Sequence, residues 1–143
     1  MELEDKTIIV TGASSGIGAA AAKLFASEGA NVVLGARRGA ELEALAAAIN
    51  KTDGRAVFLA GDVRDEGYAG ALVDLATKTF GGLDGAFNNA GIVGEMQPVP
   101  DMAIGNWTDV ISVNLTAAFL AAKAQIPAMR ARGRGSIVFT SSF

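Results

Sequence analysis

The chain has 143 residues, half of them hydrophobic and 19% charged, which is enough for one domain with a packed core. Its net charge is −3, and the basic residues are scattered apart from Arg37-Arg38 and the Arg130, Arg132, Arg134 series, which argues against nucleic acid as a partner. With no cysteine and no histidine, disulfides, thiolate metal sites and imidazole ligation are excluded, and no metal site is expected.

The opening Met1-Glu2-Leu3-Glu4-Asp5-Lys6 is charged and lacks the apolar core of a signal peptide. No later run approaches the roughly 20 apolar residues of a membrane span. A cytoplasmic protein with no membrane partner is therefore expected.

Thr7-Ile8-Ile9-Val10 is a β-branched run without helical period and predicts a central strand buried on both faces. It leads into Thr11-Gly12-Ala13-Ser14-Ser15-Gly16-Ile17-Gly18. Ile17, Ala20, Ala21, Leu24 and Phe25 then recur at helical spacing, and Gly29 supplies a stop. Asn31 to Gly35 predicts a second buried strand. Arg37-Arg38 and a helix from about Ala40 to Asn50 follow, with Leu42, Leu45, Ala46 and Ile49 on one face and Asp53-Gly54 as the break.

Arg55 to Ala60 reads as the third strand, ending at Gly61-Asp62-Val63, and the third helix runs from about Asp65 to Phe80 with Leu72, Leu75 and Ala76. Leu83 to Phe87 is a weaker strand that opens into Asn88-Asn89-Ala90-Gly91. Ile92 to Gly105 has the length of a functional loop. From Asn106 a long helix carries Trp107, Val110, Ile111, Asn114, Leu115, Ala118, Phe119 and Ala122, and Pro127 is expected to kink or end it. After the turn Gly133-Arg134-Gly135, a last strand from Ser136 to Thr140 delivers Ser141 and Ser142. Five strands alternating with four helices predict an α/β fold, a Rossmann-type doubly wound parallel sheet with right-handed crossovers, in one domain over 1–143.

In such a sheet ligands collect at the carboxyl ends of the strands, beside the first strand-helix turn. A helix amino terminus there offers unpaired N–H groups and partial positive charge to an anion. Gly12 suits a tight turn, Gly16 close approach of a pyrophosphate, and Gly18 close packing of helix on strand. Ser14 and Ser15 add hydroxyl donors. A Walker-type triphosphate loop fits poorly, because it requires Gly-Lys-Ser/Thr where this turn ends Gly16-Ile17-Gly18-Ala19.

Five features in register make the sequence resemble the short-chain dehydrogenases/reductases. They are the Thr11–Gly18 turn, Asp62-Val63, Asn88-Asn89-Ala90-Gly91, Asn114 within Val113-Asn114-Leu115, and Ile137-Val138-Phe139-Thr140-Ser141-Ser142. The resemblance implies a nicotinamide cofactor held by Gly12, Ser14, Ser15, Gly16, Ile17 and Gly18, by Asn88, Ala90 and Gly91, and at the adenine by Asp62 and the Val63 backbone. It also implies hydride transfer to or from a carbonyl or alcohol carbon of a small molecule, and a homo-oligomer, dimer or tetramer.

For the choice of cofactor, a site that prefers NAD usually ends its second strand in an acidic residue that takes the ribose 2′-OH. Here Ala36 stands there, with Arg37 and Arg38 next, and a guanidinium binds a 2′-phosphate by a charge-assisted fork. NADP is therefore expected over NAD, Arg37 making the first contact; outside that context both arginines read equally as solvated loop charges.

Ser142 matches the family's substrate-binding serine and Asn114 the asparagine that holds a water of the proton relay. The resemblance places a Tyr-x-x-x-Lys pair after the serine strand, and Tyr68, the only tyrosine here, has Leu72 rather than lysine four residues on. The expectation is a cofactor-binding domain truncated after the fifth strand and inactive alone, with its last strand left as an edge. The alternative is a non-catalytic nucleotide-binding module or structural subunit; a methyltransferase is disfavoured by Asn88-Asn89-Ala90-Gly91.

Overall fold

The computed structural model describes residues 1–142. In chain order the elements are β1 (Thr7–Thr11), α1 (Gly16–Ser27), β2 (Asn31–Ala36), α2 (Gly39–Asn50), β3 (Arg55–Ala60), α3 (Glu66–Phe80) and β4 (Gly85–Asn88). A single 3₁₀ turn, Val99–Asp101, precedes α4 (Ile104–Ile111), a widened π turn (Ser112–Thr116), α5 (Ala117–Arg132) and β5 (Ser136–Phe139). The strands form one parallel sheet in the order β3-β2-β1-β4-β5. The winding reverses between β1 and β4, which opens a crevice at their carboxyl ends.

Every residue of β1 is buried, as its unbroken apolar run requires. Alternation along the strands divides the core in two. Ile8, Val10, Val32 and Leu34 meet Ala22 and Ala26 of α1 and Leu42, Leu45 and Ile49 of α2. On the other face Ile9, Val33 and Ala86 meet Tyr68, Leu72 and Ala76 of α3 and Met129 of α5. Asp84 fastens the near ends of three strands: its carboxylate accepts from the Thr7 N–H at 3.0 Å and from Arg132 at 3.2 Å, and its carbonyl accepts from the Ser136 N–H at 3.0 Å.

The fold class agrees with the sequence, but several faces do not. α1 buries Gly18, Ala22 and Ala26 and leaves Ile17 and Leu24 exposed, because small residues let a helix lie close on a sheet. The long helix begins at Ile104 rather than Asn106, and Pro127 does not end it. Pro127 and Lys123, whose carbonyl loses its helical donor, are both exposed residues, on the side of the helix open to solvent. Contrary to the expectation of no such segment, the 29 residues Ile104–Arg132 are long and apolar enough to cross a membrane by length and composition. Here α5 packs through Ala117, Ala121, Gln125 and Met129, while Leu115, Phe119 and Ile126 face outward. β5 is the sheet edge on its side, with Val138 and Phe139 partly exposed.

Candidate functional site: the cleft at the carboxyl ends of the strands

The Thr11–Gly18 turn is shaped by three glycines with different duties. Gly12 has φ +64°, and a Cβ there would press on the Ala90 backbone at 3.1 Å. Gly16 has φ +54° and faces open space, so a ligand can reach its backbone. Gly18 is buried in the first turn of α1, where a Cβ would overlap the Gly12 carbonyl oxygen. Ser15 caps α1 with its backbone only, so the first-turn amides are left for an external acceptor.

Around this turn opens a cleft of about 630 Å³. Gly12, Ser14, Ser15, Gly16 and Ile17 form one wall, and Arg37 and Arg38 the end beyond β2. Asp62 and Val63 line it beyond β3, and Ala90 and Gly91 beyond β4. Two expected cofactor residues are not on this surface. Gly18 lies beneath it as packing, and Asn88 is turned to the opposite layer, where its amide pairs with that of Gln125 at 2.9 and 2.8 Å. Both of these amides are buried.

The residue in the cleft is Asn89, which sequence reasoning passed over. Its N–H donates to the Thr11 hydroxyl at 3.1 Å, its Oδ1 accepts from the Thr140 hydroxyl at 2.8 Å, and its Nδ2 lies beside Gly12 and Gly18. Asn89 thus ties β1, β5 and the glycine turn together. Ala36, expected at the end of the second strand, lines the cleft too, and so do Gly61, Ile92 and Val113, which had been given no site role. The signal for Asn89 was the doubled asparagine itself, since consecutive residues at a strand end face opposite ways.

The charges are arranged by pairs. Arg38 donates to the Ser14 hydroxyl at 3.1 Å and lies 3.6 Å from Glu41. Asp62 accepts from Arg64 three ways, from Nη2 at 2.7 Å, from Nε at 3.1 Å and from the backbone N–H at 2.9 Å. The Arg64 side chain, then its backbone N–H, holds the Asp62 carboxyl below the usual aspartate range against the opposing effect of burial; Arg37 adds a smaller through-space contribution. Among the described residues no group of three or more acidic side chains is disposed to hold a metal.

A second cleft of about 470 Å³ shares Asn89, Ala90, Gly91 and Ile92 with the first and contains both Ser142 and Asn114. Both ends of the Asn114 amide are engaged: Oδ1 accepts from the Ile92 N–H at 2.9 Å and Nδ2 donates to the Ile92 carbonyl at 2.7 Å. The Asn114 side chain is therefore a clasp on the loop. It sits in the π turn, where the helical ladder is widened. Tyr68 is buried under this region, donates to the Leu59 carbonyl at 2.6 Å, and has its pKa pushed up to about 12 by burial. Its ring fills the space over Gly61 and Gly35.

A family model described as short chain dehydrogenase matches residues 6–143. The chain is 42% identical over 142 residues to a 2,5-dichloro-2,5-cyclohexadiene-1,4-diol dehydrogenase of Sphingobium indicum, a match covering 99% of this chain and 56% of the relative. It is 40% identical over 139 residues to a cis-4-hydroxycyclohexanecarboxylate dehydrogenase of Sinomonas cyclohexanicum, covering 96% and 55%. The crystal structure of levodione reductase superposes with a TM-score of 0.92 at 37% identity, covering 98% of this chain and 55% of that one. The chain thus spans about half the length of the curated relatives it matches. With the family model matching residues 6–143 and the levodione reductase structure superposing over 98% of the chain, the chain belongs to the short chain dehydrogenase family.

Proposed function

We propose that the chain is the dinucleotide-binding part of an NADP-dependent oxidoreductase that moves a hydride between the nicotinamide and a ring-borne carbonyl or secondary alcohol of a small molecule. The observation that carries the proposal is the single cleft in which the glycine turn, Arg37-Arg38, Asp62-Val63 and Ala90-Gly91 converge. Its open Gly16 and uncapped α1 amides fit a pyrophosphate. The end of β2 carries no carboxylate, and Arg37 offers a planar fork to a 2′-phosphate. The bound cofactor would supply the hydride chemistry.

The chain's own residues bind and orient. Asn114 fixes Ile92 between the two clefts, and Ser142 stands in the second cleft to receive a substrate oxygen. Tyr68 is no proton donor at neutral pH, because its hydroxyl is buried, committed to Leu59 and titrates at about 12. These 143 residues are therefore expected to bind NADP without turnover. The ring-borne substrate class rests on the names of two relatives, a cyclohexadiene-diol and a hydroxycyclohexanecarboxylate dehydrogenase.

Calorimetric titration with NADP and NAD tests the reading. The chain should bind NADP more tightly, and Arg37→Asp should lower the NADP-to-NAD affinity ratio by about tenfold or more. An unchanged ratio would remove Arg37 from the site, and binding of neither dinucleotide would overturn the proposal.

A further inference from the structure

No side chain of α4 is fully buried, and its apolar seating is limited to the half-buried Val110 and Ile111 at the end that runs on into the π turn and α5. Polar contacts add to that seating. Asn106 accepts from the Glu95 N–H at 2.9 Å and donates to the Glu95 carbonyl at 2.8 Å, which clasps the helix to the segment leading away from the cleft. One turn further along, Asp109 accepts from Arg64 Nη1 at 3.0 Å. The other nitrogens of the same guanidinium, Nε and Nη2, reach the Asp62 carboxylate at 3.1 and 2.7 Å.

We propose that Arg64 is a positioning residue that sets the Asp62 carboxylate at the cleft wall and, with the same guanidinium, docks α4 onto the β3–α3 turn. The guanidinium is suited to this double duty because its donors diverge in one plane, whereas an ammonium is a single point of charge. The charged groups facing Asp62 are Arg64, Arg37 from the β2–α2 turn, and Asp109 across the shared arginine. The Asp62 half of the proposal rests on the dinucleotide reading of the cleft, and the α4 half does not.

Trp107, the only tryptophan, lies on α4 and is 57% exposed, so its fluorescence anisotropy reports how firmly the helix is docked. The test measures that anisotropy without ligand, amide exchange over 104–111, and NADP affinity in Arg64→Ala, Arg64→Lys and Asp109→Asn of the full chain. Arg64→Ala should lower the Trp107 anisotropy, speed exchange in α4, and weaken NADP binding by about fivefold, the scale of a partly exposed ion pair. Asp109→Asn should loosen Trp107 to the same degree while leaving NADP affinity within about twofold of wild type, as expected for a pair remote from the ligand. Arg64→Lys should recover part of the anisotropy and little of the affinity.

Unchanged anisotropy and exchange in both Arg64→Ala and Asp109→Asn would overturn the docking of α4. Wild-type NADP affinity in Arg64→Ala would overturn the positioning of Asp62. If the wild-type chain binds neither dinucleotide, the reading of the cleft and the Asp62 half fall together, and the ligand-free Trp107 arm decides the docking. Should Arg64→Ala not fold, Asp109→Asn at its exposed site carries the docking test and Arg64→Lys the affinity test.

Discussion

Gly18→Ala and Gly70→Ala add the same methyl group to two helices and should move stability in opposite directions. At Gly18 the new Cβ would overlap the Gly12 carbonyl oxygen and stand 2.7 Å from the Gly12 carbonyl carbon and 3.0 Å from Asn89 Nδ2. The first two are backbone atoms with no rotamer to escape into, so α1 must lift from the turn that shapes the cleft. Overpacking of this kind costs about 1–3 kcal/mol, and a rigid backbone neighbour puts it at the upper end. Replacing a helical glycine returns about 1 kcal/mol, which leaves a net loss of about 1–2 kcal/mol. At Gly70, inside α3, nothing lies within 4 Å of the added Cβ, so only the helical gain of about 0.5–1 kcal/mol remains. Thermal unfolding followed by circular dichroism should show Tm lower by roughly 3–8 °C for Gly18→Ala and higher by roughly 2–4 °C for Gly70→Ala. NADP affinity should fall only in the first. A Gly18→Ala variant that melts at or above wild type would refute the seating of α1 on Gly12.

Asp84 gives a pH dependence of definite sign. Burial alone would raise its pKa, but the hydrogen bonds from Arg132 and from the Thr7 N–H outweigh burial and hold it below the ordinary aspartate value. A depressed folded-state pKa contributes stability above the unfolded value and loses it as pH falls through the folded one. Asp84→Asn should therefore lower the urea midpoint at neutral pH, with the gap to wild type closing below about pH 4. In the buried amide pair, Asn88→Ala leaves Gln125 without its partner and should cost about 1–3 kcal/mol in denaturant unfolding. The double variant with Gln125→Ala should lose less than the sum of the two singles, as contacting residues do.

The sheet was legible because its signals are local. A β-branched run, a glycine turn and a stop recur along the chain, and the parallel order follows from their alternation. The buried faces of the helices were less legible, because apolar periodicity assumes that the largest residues point inward. α1 inverts that rule: close contact with β1 selects Gly18, Ala22 and Ala26, and Ile17 is left at the cleft. Pro127 misled for a related reason. Its position in the sequence announces a lost donor, but only the folded helix shows that Pro127 and Lys123 are on the side open to solvent.

The same division runs through the candidate site. Gly12, Gly16 and Gly18 act through their own backbones, so their spacing sufficed to assign three distinct duties before any coordinates. Asn88 and Asn89 could not be sorted that way, because facing depends on where β4 ends, and the strand runs one residue beyond the predicted Phe87. That one residue sends Asn88 to Gln125 and leaves Asn89 to bridge Thr11 and Thr140. Asp62 was legible as a cleft residue, but Asp109, the far end of its arginine bridge, lies 45 residues from Arg64 in the chain. Local backbone chemistry therefore shapes the cleft, whereas pairings that only the tertiary fold creates set the charge on its walls.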